Sequence, residues 1–361
     1  MARRPEGPLK RGWTTGACAT AATRAAYCAL LTGAIPDPVT IRLPRGEAPA
    51  FPLAREELGA GFARAGIVKD AGDDPDVTHG ALVLSTLRRG KPGSGVAFRA
   101  GPGVGTVTKP GLPVPVGEPA INPKPREMMR AVVAELAGEH GEAGDVEIEI
   151  AIPGGAELAR KTWNPRLGIE GGLSILGTTG VVVPFSCSAW IHSIHRGIDV
   201  ARANGLDHVA ACTGSTSEAA VQALYGLPEV ALLDMGDFAG GLLKYLRRNP
   251  LPRLSLGGGF AKLAKLAAGH LDLHSGRSQV DFDFLGDMLA ELGGDAILVA
   301  RARGANTAGE ILGLAEAAGL PLADAVAARA RATALGVLAG ETAVEVLVID
   351  RQGRLVGRAD V

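Results

Sequence analysis

Between residues 206 and 268 the hydrophobic rhythm repeats one change. The buried run DHVAAC gives way to the turn and helical pattern TGSTSEAAVQALYG, then EVALLDM to GDFAGGLLKYLRRN, then PRLSLGGG to FAKLAKLAAG. Short continuous apolar runs bounded by Gly, Pro or Asp read as fully buried strands. The 3.6-residue periods that follow read as helices. Strand–turn–helix units in series cannot form hairpins, so the strands must lie parallel with helical crossovers, right-handed by the general rule. The helical SAWIHSIHRGIDVARANG precedes this series. Further helices and a closing strand with a turn, VEVLVIDRQGRLVGRA, follow it. Together they predict a Rossmann-like α/β domain with a parallel sheet over 185–361.

Residues 1–184 keep another rhythm. A small, Ala-rich helix over Thr15 to Leu31 precedes β-like runs VTIRL, GALVLSTL, GVAFRA and VEIEIAI. Between them lies GPGVGTVTKPGLPVPVGEPAINPKP from 101 to 125, whose Pro and Gly density excludes a long helix. A second helix is expected from about Arg126. This half reads as a mixed α+β domain, with the boundary near Pro184. A chain of 361 residues that is 47% hydrophobic can bury two such cores, although much of that fraction is Ala.

The net charge is −1 and aromatics make up 4%, so neither a basic field nor a stacking platform is offered to nucleic acid. No apolar stretch reaches the ~18 residues that span a bilayer, and no secretory h-region is visible. Cys18, Cys28, Cys187 and Cys212 form no CxxC pair, which argues against structural zinc and a disulfide framework. A cytoplasmic setting is expected. A homo-oligomer is compatible with the sequence, which does not fix the oligomeric state.

Several stretches offer chemistry. CTGSTSE at 212–218 follows a strand and opens a helix, where backbone N–H groups can bind a polar or anionic ligand. Asp234, twenty residues after Gly214, ends the next strand and is placed to accept from ribose hydroxyls. The alternative is a plain helix start, capped by Ser215 or Ser217 with Glu218 in the first turn. The GxGxxG spacing is absent. KDAGDDPDVTHG clusters Asp70, Asp73, Asp74 and Asp76 beside His79, as a turn capped by its own carboxylates, as the source of one general base, or as a hard-cation site whose spacing is not that of an EF-hand. The pairs His192/His195 and His270/His274 have helical spacing but no third ligand, so polar helix faces are expected rather than metal sites. Cys18, at the start of the first helix, reads as a small buried residue. Lys109, Arg126, Arg160, Lys161, Arg166, Lys262 and Lys265 flank Gly- or Pro-rich loops and can clamp carboxylates.

In the same order along the chain, RGWTTGACATAA, GIVKDAGDDPDVTHGA, GPGVGTVTKPGLPVPVGEPAINPKPREM and TWNPRLGIEGGLSILGTTGVVVP resemble the CbiD family of cobalamin biosynthesis. The resemblance continues through TGSTSE, GDFAGG, KLAKLAAG, LHS and ANTA, and so covers nearly the whole chain. It implies a cobalt-precorrin-5B C1-methyltransferase activity. The donor would be S-adenosylmethionine and the acceptor a polycarboxylate corrinoid. No protein-bound metal would be needed, because a sulfonium methyl is already activated and an electron-rich ring carbon can attack it directly. Alignment and exclusion of water would be the enzyme's main work. On that implication Thr213, Gly214, Ser217, Glu218, Asp234 and Gly236 are expected to hold the donor. Thr14, Thr15, Lys109, Arg126, Arg166, Thr178, Thr179, Lys262, Lys265 and His274 are expected to face the acceptor, and Asp70 or Asp73 to supply the base. For Thr14 and Thr15 the competing expectation is helix capping.

Two positions depart from the family pattern. Gly258-Gly259-Phe260-Ala261-Lys262 stands where Gly-His-x-Gly-Lys is expected, and Pro184-Phe185-Ser186-Cys187 where Pro-x-Ser-Glu is expected. They leave a metal-free precorrin open as the acceptor. The competing classes are a nucleotide-dependent corrinoid-pathway oxidoreductase and a non-catalytic tetrapyrrole carrier.

Overall fold

The computed structural model describes residues 7–361. The chain divides into two compact units, one ending at Cys187 and the other starting at Ser188.

In the first unit, α1 (Thr15–Thr32) is buried on almost every side. Its Ala17, Ala19, Ala21, Ala22, Ala25 and Ala26 have no exposed surface, which explains the Ala-rich composition. Small side chains let the helix lie close between a sheet and a second helix. The strands β1 (Arg55–Gly59), β2 (Phe62–Val68) and β3 (Leu82–Arg89) form an antiparallel meander. At the other side of the sheet lies β4 (Val96–Ala100), and α2 (Pro123–His140) packs on α1. Between β3 and β4 is β5 (Val146–Ala151), antiparallel to the first and parallel to the second, giving the order β1-β2-β3-β5-β4. The second helix starts at Pro123, not near Arg126. Proline at the first helical position loses no hydrogen bond, so Pro123 and Pro125 extend the helix backwards.

The Gly/Pro stretch after β4 is ordered by lacing. Gly103–Val104 pairs with Gly172–Leu173, and Thr106–Val107 with Ile169–Glu170. Gly103 has φ of +80°, and a Cβ there would stand 1.9 Å from the carbonyl oxygen of Ile152, so only glycine fits.

The second unit opens with α4 (Cys187–Ala203; the short helix Gly155–Ala159 in the first unit is α3). The predicted series follows: β6 (His208–Cys212), α5 (Ser215–Tyr225), β7 (Leu232–Asp234), α6 (Ala239–Arg248), β8 (Arg253–Gly258) and α7 (Phe260–Ala267). Four helices come next: α8 (Phe282–Glu291), α9 (Ala296–Arg303), α10 (Ala308–Ala317) and α11 (Leu322–Leu338). The hairpin β9 (Ala343–Ile349) and β10 (Leu355–Ala359) ends the chain. The strand order is β7-β6-β8-β9-β10, with the first four parallel and β10 antiparallel.

The strand expected over EVALLDM is only three residues long, because Glu229–Ala231 form a 3-10 turn after Pro228. Apolar side chains of α4, α6, α7 and α11 cover one face of the sheet. The smaller cluster of Val221, Leu347 and Ile349 lies with α5 on the other. One strand position breaks the apolar pattern. Glu345 in β9 is fully buried and accepts hydrogen bonds from Ser255, Tyr225, Arg253 and Arg358. Burial works to raise its pKa, but these donors together hold it below the usual carboxylate value.

Candidate functional site

The strand order of the second unit reverses at β6: β7 lies on one side of it and β8 on the other. At such a switch point the loops leaving the two central strands diverge, and a crevice opens beyond their carboxyl ends. Here those loops are Thr213–Ser217 after β6 and Gly258–Lys262 after β8. The register sets Cys212, Asp234 and Gly257 side by side at the three strand ends.

The turn after β6 is built to present backbone. Gly214 is the N-cap of α5, and no side chain caps the helix. Ser217, one of the two expected capping residues, donates instead to the carbonyl of Gly214 at 2.8 Å. Gly214, Ser215 and Thr216 are exposed and Ser217 is buried, and the first-turn N–H groups of a helix have no partner within the helix itself. Glu218 lies in that first turn and Thr213 is buried beneath it. After β7, Met235 and Gly236 both donate to the carbonyl of Cys212, at 2.9 and 3.2 Å, which folds the Asp234–Asp237 turn against β6. Gly236 takes φ of +55° under the Trp190 ring, whose Nε1 donates to the carbonyl of Asp234 at 3.0 Å. The six residues expected to hold the donor are thus brought to one end of one sheet.

Two residues of this cluster have a different standing in the sequence. Lys262 was expected among the acceptor contacts, but its Nζ donates to the carbonyl of Thr213 at 2.9 Å, across the switch point. It also lies 3.1 Å from Oδ1 of Asp237, a residue sequence reasoning did not single out. Its signal, an acid directly after Gly236, was present in MGD. Lys265 is buried and donates to the carbonyl of Leu273 at 2.9 Å, tying α7 to the following loop. His274 is exposed and its Nδ1 accepts from Gly276.

In the first unit the TTG turn is a clamp. Thr14 caps α1, its Oγ1 accepting from Ala17 at 3.1 Å. Thr15 Oγ1 donates to the carbonyl and accepts from the N–H of Leu176, at 3.2 and 3.0 Å. Both threonines are buried, and their hydroxyls serve the backbone. In the second Thr-Thr-Gly turn, Thr179 Oγ1 bonds the backbone of Val181 while Thr178 is exposed. Cys18 is fully buried, and burial pushes its thiol up to about 12, so it is no nucleophile at neutral pH.

The aspartate loop separates its four carboxylates. Asp70 pairs with Lys10 at 2.6 Å and accepts from Gly72, and the Lys10 hydrogen bond holds it below the usual range. Asp73 accepts from the N–H of Lys10 at 2.6 Å. Asp76 pairs at 2.5 Å with Lys69, which is itself buried. Asp74 is pushed up, by burial, while accepting from the N–H of Phe185 at 2.8 Å.

The basic residues of this unit flank its laced loops. Lys109 packs over Gly168, and the Arg166 guanidinium lies 5.4 Å from the Trp163 ring centroid. Arg126 donates to the carbonyls of Ile121 and Pro119 and pairs with Glu118 at 3.1 Å, so it mainly holds its own loop. Arg126 and Arg130, one helical turn apart, both stand over Phe98, at 5.2 and 5.0 Å. Two shallow depressions adjoin here. One is lined by Pro113, Arg126 and Arg130, the other by Asn122, Lys124, Gly177 and Thr178. Lys124 and Arg130, which line these depressions, are not singled out by sequence, because which face of α2 is covered is not legible there. Among the described residues no three His, Cys, Asp or Glu side chains are grouped to hold a metal ion. Among the described residues no helix is long and apolar enough to cross a membrane.

Comparison with known proteins gives the same family over both units. The CbiD profile matches residues 2–184, and that of the CbiD C-terminal domain matches 272–360. A protein of Paramagnetospirillum magneticum named cobalt-precorrin-5B C(1)-methyltransferase is 64% identical over 98% of this chain and 99% of its own. One of the same name from Brucella anthropi is 62% identical over 97% and 95%. A solved structure of a cobalamin biosynthesis protein (cbiD) from Archaeoglobus fulgidus is 27% identical, covering 75% of this chain and 84% of that one, with a TM-score of 0.40.

Proposed function

The chain belongs to the CbiD family, and from that premise we propose that it is an S-adenosylmethionine-dependent methyltransferase acting on C1 of cobalt-precorrin-5B in cobalamin biosynthesis. The second unit is Rossmann-like in this reading and binds the donor. The observation that carries it is the switch-point crevice: an uncapped helix start at Gly214–Ser217 next to a strand ending in Asp234. The turn N–H groups and Thr213, Ser217 and Glu218 frame the ligand. Asp234 accepts from the ribose hydroxyls, and Gly236 lets the next turn approach closely.

The first unit takes the corrinoid, whose many carboxylates are matched by Lys109, Arg126, Arg166 and Thr178, with Lys124 and Arg130 alongside them. Thr14, Thr15 and Thr179 shape that surface from beneath, and Lys265 and His274 brace the loop after α7. C1 attacks the sulfonium methyl, the S–C bond breaks, and S-adenosylhomocysteine leaves. The proton lost from the macrocycle passes to a carboxylate of the aspartate loop. Asp74 is the best tuned for this, since burial raises its pKa, whereas Lys10 keeps Asp70 a weak base and binds Asp73 through its N–H.

Asp234→Ala tests the donor site. Calorimetry with S-adenosylhomocysteine should show at least a tenfold loss of affinity, and an unchanged Kd removes Asp234 from it.

A further inference from the structure

Asp237 has an Oδ1 that is buried and receives no hydrogen bond. Its side chain is only 10% exposed. An orphaned buried carboxylate oxygen is costly in a folded protein unless a ligand or water supplies the donor. Its place matters: Asp237 ends the turn after β7, and its own carbonyl accepts from Leu273 at 2.8 Å, which pins the backbone. A cation beside it, Lys262, stands 3.1 Å from this oxygen without forming the hydrogen bond. Lys262 is instead oriented by the carbonyl of Thr213, directly before the uncapped start of α5. The ammonium has three N–H groups and is about one-third exposed, so it can still donate to a ligand.

We propose that Asp237 and Lys262 form a reader for the amino-acid end of the methyl donor. The α-ammonium group donates to Asp237 Oδ1, and the α-carboxylate accepts from Lys262. This rests on the reading of the second unit as the donor site. A ribose would satisfy an orphaned carboxylate too, but it has no use for a tethered cation next to it, and Asp234 already ends the neighbouring strand. A zwitterion needs both charges at short separation. The pair presents a matching dipole of no net charge, so docking leaves no buried charge uncompensated. The strand order brings the two residues together across the switch point, where a ligand spanning the crevice must pass. One consequence is that the spent donor, which keeps the amino-acid group, is held as firmly as the fresh one. A donor fragment lacking that group is not.

The test compares two nucleosides on the full chain by calorimetry. S-adenosylhomocysteine carries the amino-acid group, and methylthioadenosine has the same adenine, ribose and thioether without it. The wild-type protein should bind the first at least tenfold more tightly. Asp237→Asn and Lys262→Met should each remove most of that preference while leaving the Kd of methylthioadenosine unchanged, which also shows that the variants are folded. Equal affinity of the wild type for both nucleosides overturns the proposal while the donor site stands. So does a variant that weakens both alike, or one that weakens neither. If the wild type binds neither nucleoside, the donor-site reading itself fails and takes the proposal with it.

Discussion

Glu345→Gln should destabilise β9 by about 2–4 kcal/mol while leaving the switch-point crevice intact. The carboxylate is wholly buried and its two oxygens take hydrogen bonds from Ser255, from Tyr225 at 2.5 Å, from Arg253 at 2.8 Å and from Arg358 at 3.4 Å. Glutamine keeps one acceptor and turns an NH2 group towards the donors that served the other. Arg253 and Arg358, with side chains 35% and 39% exposed, can recover water, and Ser255, though buried, keeps the His208 ring nitrogen at 2.6 Å as a partner, so the loss falls on the charged hydrogen bonds and on the new NH2 group. Losing a charged hydrogen bond costs about 1.5–3 kcal/mol, and a buried NH2 group facing donors adds up to about 1 kcal/mol, which gives the range. Native-state hydrogen exchange of the amides in 343–349 measures it locally and avoids assuming that two units unfold as one.

The pH dependence has a definite sign. The folded carboxyl titrates below its unfolded value of about 4.3, so its contribution is full above that pH and is lost as pH falls through the depressed pKa. Thermal midpoints of wild type and variant should therefore converge on acidification. Glu345 pairs with Ser255 two positions before β8 reaches Gly257, so affinity for S-adenosylhomocysteine at neutral pH should stay within twofold. A destabilisation under about 0.5 kcal/mol, or midpoints equally far apart at every pH, would refute the account of this cluster.

Replacing Thr14 and Thr15 together by Val should lower stability by about 1–3 kcal/mol, seen as a fall in Tm, with the acceptor KM unchanged; a raised KM at unaltered Tm would return their hydroxyls to the substrate. Native protein should show no reaction of Cys18 or Cys212 with a thiol reagent at neutral pH, since burial pushes both thiols up to about 12; labelling of either before unfolding contradicts that. Asp74→Asn should flatten the acidic limb of the pH–rate profile and Asp70→Asn should not, and the opposite pattern would return the base to Asp70.

What could be read from sequence followed the range of the interactions. The strand–turn–helix series was legible because period and punctuation are local, and it placed all of β6 to α7. EVALLDM came out shorter because Pro228 favours a 3-10 turn that no hydrophobic pattern reveals. Pro123 opening α2 was legible in principle, since proline suits the first helical turn, but the Gly/Pro density before it masked the signal. The site was legible where it sits on one turn, as in TGSTSE. It was not where residues meet across the sheet. Lys262 bonds Thr213, 49 positions away, only because β8 lies beside β6, and no spacing rule carries strand order. The basic residues meet a related limit. A charge beside a Gly-rich loop reads the same whether it faces a ligand or, like Arg126 and Lys265, holds backbone carbonyls.

The central claim is methyl transfer to C1 of a corrinoid, and its direct test is mass spectrometry of the acceptor. The purified protein is incubated with S-adenosylmethionine carrying an isotopically labelled methyl group and with cobalt-precorrin-5B, and in parallel with its metal-free counterpart. The account predicts that the cobalt-loaded corrinoid gains one labelled methyl while S-adenosylhomocysteine appears in equal amount. A corrinoid of unchanged mass in both incubations, with the donor intact, would contradict it.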